Sequence, residues 1–107
     1  MKLLLMHLQR IEYLEDVMLA LTQVGVYDPA ILDAVGGRNR LLADVPIFVG
    51  LMDGRGRSSE FHRIILAPVE DAAVADRIVQ ALHDGGIEWV DEQIGRMAVI
   101  DVEKWIG

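Results

Sequence analysis

The sequence predicts an α+β domain in which two helices cover one face of a four-stranded antiparallel sheet, and three observations carry that prediction. Two stretches place apolar residues at helical spacing and end at glycine. A gapless shift of 61 residues lays the first of these stretches, with the apolar run before it, onto the second. Each helix is followed by one more β-prone segment.

The elements follow in order. Lys2-Leu3-Leu4-Leu5-Met6 is too short for the apolar region of a signal peptide, since His7 and Gln9 follow at once, and it reads as a strand. From 11 to 24, Leu14, Val17, Met18 and Leu21 form one helical stripe. Glu12, Glu15 and Asp16 sit in the first turns, where the helix dipole favours negative charge, and Gly25 can take the left-handed C-terminal cap. Ala30–Val35 reads as the second strand and Phe61–Ala67 as the third. A second helix at 71–84 carries Ala75, Ile78, Val79 and Leu82, with Glu70, Asp71 and Asp76 early and Gly85-Gly86 as its stop. Met97–Val102 supplies the last strand, and a short helix-like turn is expected at Glu103-Lys104. Under the 61-residue shift, Leu3-Leu4-Leu5 falls on Ile64-Ile65-Leu66, Leu21 on Leu82 and Gly25-Val26 on Gly86-Ile87. The order βαββαβ is the split-βαβ, ferredoxin-like pattern.

Composition bounds the function. At 107 residues the chain is one domain, yet 52% of it is hydrophobic, and its mean hydropathy is +0.30. That apolar content implies either a rich core or a face buried against another subunit. The net charge of −7 disfavours nucleic acid and acidic membrane surfaces. The absence of cysteine excludes disulfides, thiol nucleophiles and zinc–thiolate sites, and fits a cytoplasmic location. No run approaches the ~18 apolar residues of a transmembrane span, so no direct membrane insertion is expected.

The segment between the halves, Gly36 to Glu60, is 25 residues long. Connections beyond ~12–15 residues are usually functional or disordered. It holds Arg38, Arg40, Arg55 and Arg57 against three carboxylates, a net +1 on a body that otherwise carries −8. Glycines beside the arginines (Gly36-Gly37, Gly54, Gly56) let backbone N–H groups approach a phosphate that arginine can grip with paired donors. The pattern fits an anionic ligand or a solvated loop. Between the basic clusters, Val45–Met52 is short and apolar with Phe48 at its centre. It must be covered, either as an extra strand paired with Phe61–Ala67 or by docking on a partner.

Other constellations are weaker. His7, His62 and His83 are scattered, with no pair at metal-ligand spacing, and read as helix-end or surface residues. Ser58-Ser59 lies in no nucleophile elbow and has no evident base. Asp91 and Glu92 are adjacent, so as strand neighbours they would face opposite ways. No Walker A motif occurs. No catalytic residues and no metal ligands are assigned. Trp89 and Trp105 are expected either to pack across a subunit boundary or to fill the core.

Leu14-Glu15-Asp16-Val17, Ala20-Leu21 and Val24-Gly25-Val26 resemble the first helix of the nitrogen-regulatory PII signalling proteins, and Val99-Ile100-Asp101-Val102 resembles their last core strand. The order of elements and the place of the long central loop agree along nearly the whole chain. The resemblance implies a homotrimer of ferredoxin-like subunits that binds ATP, ADP or cyclic AMP between subunits and contacts a regulated enzyme or transporter through a loop at about 37–59. Gly37 and Arg38 resemble the Gly-Arg step at the base of that loop, and Gly95-Arg96 the end of the family's phosphate-contacting segment, with Arg40 as a further basic contact. Phe48, Leu51, Met52, Arg55 and Arg57 would form the partner-contacting part of the loop. The family's phosphate segment is richer in glycine; here Asp91-Glu92-Gln93-Ile94 precedes Gly95, carboxylates that would repel a triphosphate unless a metal intervened. The loop also lacks the family's tyrosine and lysine. The expectation is therefore a divergent PII-like adaptor, not an enzyme. The alternatives are a metal-binding trimer of the divalent-cation-tolerance type or a small enzyme on the same fold.

Overall fold

A computed structural model describes residues 1–37 and 61–107. Four strands and two helices appear in the expected order: β1 (Lys2–Leu8), a 3₁₀ turn (Ile11–Tyr13), α1 (Leu14–Gln23), β2 (Ala30–Val35), β3 (Phe61–Val69), α2 (Ala73–Asp84) and β4 (Gly95–Asp101). The sheet order is β2-β3-β1-β4, and every neighbouring pair is antiparallel. This is the ferredoxin-like arrangement, with the two repeated strands at the centre and the two following strands at the edges.

Period-two alternation separates the two faces of the sheet. Leu4, Met6 and Leu8 of β1 and Ile65, Ala67 and Val69 of β3 are buried and pack with Val17, Ala20 and Leu21 of α1 and Val74, Ile78 and Leu82 of α2. Burying each of the side chains larger than alanine contributes on the order of 1.5–3 kcal/mol. Leu3, Leu5, Ile64 and Leu66 point to the opposite face and are half-buried. Among the described residues no helix lies on that side. Pro68 lies beyond Leu66, the last β3 residue paired with β2, at a place where the strand has a partner on one side only.

The two helices stop in the same way. Gly25 and Gly86 both take positive φ, +91° and +83°. Gly25 N–H donates to Thr22 O at 3.1 Å and Val26 N–H to Leu21 O at 2.8 Å; Gly86 N–H donates to His83 O and Ile87 N–H to Leu82 O, both at 2.9 Å. Each set is a Schellman motif closed over a buried leucine.

Equivalent residues meet at the sheet's centre: Leu5 pairs with Leu66, its own counterpart under the 61-residue shift. At the edges the halves diverge. Ala30 faces Leu66, whereas the residue facing Leu5 is Ala98, 68 positions later. The second half therefore holds seven more residues between helix and strand than the 61-residue repeat allows. They are accounted for by the turn from Glu88 to Ile94.

Of the two places open to the tryptophans, Trp89 takes the core, 5% exposed, while Trp105 is 46% exposed. Asp91 and Glu92 lie in the turn, not on a strand. Glu103-Lys104 forms a bend and not a helical turn.

Candidate functional site

The antiparallel register gathers the C-terminal ends of β1 and β2 and the N-terminal ends of β3 and β4 at one end of the sheet. His7 lies opposite Arg96 on one side and Ile64 on the other, and His62 lies opposite Ala34. These residues share the face that carries no described helix. His7 and His62 sit diagonally across the two central strands, within the reach of long side chains. Their Nε2 and Nδ1 atoms are 2.9 Å apart, and the rings meet at 5.0 Å between centroids with a 50° tilt.

One imidazole donates to the other, and the tautomer decides which. His62 is 5% exposed, and its Nε2 is buried without a hydrogen-bond partner. Burial lowers the His7 pKa below 6.5, helped by the adjacent His62 and then by the Arg96 guanidinium. His7 is therefore neutral at pH 7. Among the described residues Arg96 has no carboxylate partner, in contrast to Arg63, which faces the helix side and pairs with Asp33 at 3.2 Å. The histidine pair was not legible as a site, because 55 positions separate its members. Only the β1–β3 register brings them together. The signal available in the sequence was that both lie at outward positions of the repeated strands.

Gly95 sets Arg96 beside His7. A Cβ on Gly95 would lie 2.1 Å from the His7 carbonyl oxygen, so β4 can approach β1 this closely only as glycine.

The turn before it is braced from several sides. Ile94 O accepts the N–H groups of Gln9 and Arg10 at 2.9 and 3.1 Å, and Ile94 N–H donates to Trp89 O at 3.2 Å. Glu92 Oε2 accepts the Glu88 N–H at 2.7 Å, Glu92 Oε1 accepts the Tyr13 hydroxyl at 3.0 Å, and Arg10 Nη1 donates to Glu92 O at 2.9 Å. Arg10 also lies over the Tyr13 ring at 5.0 Å. The Glu88 N–H, then the Tyr13 hydroxyl, hold the Glu92 carboxyl below its usual pKa. Its acceptors are thus engaged in closing the turn. Gln93 occupies the left-handed region at φ 52°. His83, at the end of α2, meets Glu88 by a hydrogen bond and reads as the helix-end imidazole expected of it.

Of the ligand residues expected from the sequence, Gly95 and Arg96 stand at this end on edge strand β4, and Gly37 stands two residues past edge strand β2. Two central strands separate those edges, roughly 14 Å at the usual inter-strand spacing. One chain therefore does not bring Gly37 and Arg96 onto a single phosphate. Arg38, Arg40, Phe48, Leu51, Met52, Arg55 and Arg57, and the Val45–Met52 segment, lie outside the described residues.

Elsewhere the surface carries a groove of 210 Å³ between α1 and the end of α2, and another of 270 Å³ near Met1, Val26 and Pro68. Both fall below the ~300–1,000 Å³ of typical ligand pockets. Among the described residues no three His, Cys, Asp or Glu side chains are grouped to hold a metal ion, and no helix is long and apolar enough to cross a membrane. No known protein-family model matches the chain, and no curated protein matches it.

Proposed function

We propose that the chain is a PII-like signalling or adaptor protein that assembles as a homotrimer through the open face of its sheet. It binds an anionic small ligand, an adenine nucleotide such as ATP, ADP or cyclic AMP, between subunits. It acts by binding and not by turnover, and it passes ligand occupancy to a partner protein through the connection at 37–59. The supporting observation is the open face itself. It is an apolar surface with an arginine that has no described carboxylate partner, placed at the end of the sheet where the connection leaves β2 and returns to β3. Because Gly37 and Arg96 occupy opposite edges, a single phosphate touching both needs two copies.

Calorimetric titration of the purified oligomer with ATP, ADP and cyclic AMP tests the reading. Heat is expected from at least one nucleotide, with affinity reduced roughly tenfold or more in Arg96→Ala, the loss of a charge-assisted hydrogen bond. Light scattering is expected to give a trimer mass. Silence from all three nucleotides, or a monomer mass at micromolar concentration, would overturn it.

A further inference from the structure

We infer that His7 and His62 form a proton-operated catch between the two central strands, closed at neutral pH and opened in acid. The bond between Nε2 of His7 and Nδ1 of His62 needs one bare nitrogen and one N–H. A neutral pair satisfies that, and so does a pair with one added proton. A pair with two added protons has N–H groups on both facing nitrogens, and the bond becomes a repulsive contact.

Among the described residues the surroundings offer no relief for that charge. From β4 the facing group is Arg96, a cation. From β2 it is Ala34, opposite His62. On β1 and β3 the same-face neighbours are Leu5 and Ile64. Arg63 and Asp33 pair on the opposite side of the sheet, and of the two only Arg63 reaches the histidines, through a 3.1 Å bond from Nη1 to the His62 carbonyl. Among the described residues no carboxylate shares the face with the pair. Acid therefore gathers up to three positive charges on a surface otherwise built of leucine, isoleucine and alanine.

The sign follows from linkage. A histidine whose folded pKa is depressed binds more protons unfolded, so its stabilisation is complete above about 6.5 and is lost as pH falls through the folded value. The catch lies where both ends of the 36–60 connection join the sheet, so the element it loosens is the platform of that connection.

The test uses the full chain and needs no ligand. Ring nitrogen NMR of the wild type from pH 8 to 5 is expected to show His7 titrating below 6.5, with the His62 ring signals moving in step, and the coupling across the Nε2–Nδ1 bond surviving the first proton on the pair and vanishing with the second. In His62→Phe the His7 midpoint moves up toward 6.5. In His7→Phe the fall in melting temperature between pH 7.5 and 5.5 is smaller than in the wild type. A His7 midpoint at or above 6.5, or His62 signals indifferent to His7 titration, overturns the catch even if neither variant folds. These readouts are independent of oligomer mass and nucleotide heat, so the catch and the signalling reading fail separately.

Discussion

The two halves of the molecule are built alike up to the residue after each helix and differ from there on. In the first half, Val26 leads through Tyr27-Asp28-Pro29 straight into β2, a strand exposed along nearly its whole length. In the second, seven extra residues form a turn that buries Trp89 and Ile94 and is tied to the 3₁₀ turn and to the end of β1. The lesson is that a repeated unit can acquire a distinct end by insertion at one connection while its core positions stay interchangeable. The insertion is also what sets β4 against His7 and brings Arg96 beside the histidine pair.

Breaking that contact should have the largest effect. Gly95→Val would force β4 away from the His7 carbonyl; a loss of roughly 3–5 kcal/mol is expected in denaturant unfolding, with early hydrogen exchange along β4. The interchangeability of the core is sharpened by a matched pair. Leu21→Ala and Leu82→Ala remove the buried leucines under the two Schellman motifs, and each should cost about 2–5 kcal/mol, the two values lying close together. Unequal costs would show that the repeat is one of pattern and not of packing. Gly25→Ala and Gly86→Ala place a side chain at positive φ without a steric clash, so a loss of about 1–2 kcal/mol is expected at each, again matched. The smallest effect belongs to the brace. The lowered pKa of Glu92 contributes stability that is present above about 4.5 and lost as pH falls through the folded value. Glu92→Gln should therefore lower the melting temperature at pH 7 and flatten its acid decline, with no counterpart in the first half.

How far the sequence reveals this design depends on distance along the chain. The helix stripes and glycine stops are local, so both helices were expected within a few residues of where they lie. α1 begins later than expected because Ile11–Tyr13 winds as a 3₁₀ turn. The 61-residue repeat exposes the two matching strand-plus-helix halves and with them the fold class, while the pairing and the strand order come from the structure. The repeat breaks after Gly86-Ile87, where the insertion begins, so nothing in it marks the turn or the role of Glu92. β4 starts at Gly95 and not at Met97 because the braced turn delivers the chain to β1 two residues earlier. The histidine pair needed pairing register, which alternation alone does not supply, since a slip of one residue would send a ring to the other side of the sheet.

The Leu5–Leu66 pair has a further consequence. Because it joins a position to its own repeat, an approximate internal dyad runs through it, and half a turn about that dyad exchanges Leu3 with Ile64 and Leu5 with Leu66. Any flat apolar body laid on the middle of this surface meets nearly the same relief in two opposed headings. Only the margin breaks the tie, for the site matching His7 is Pro68. An imidazole at one rim and a pyrrolidine at the other give an otherwise direction-blind surface its compass.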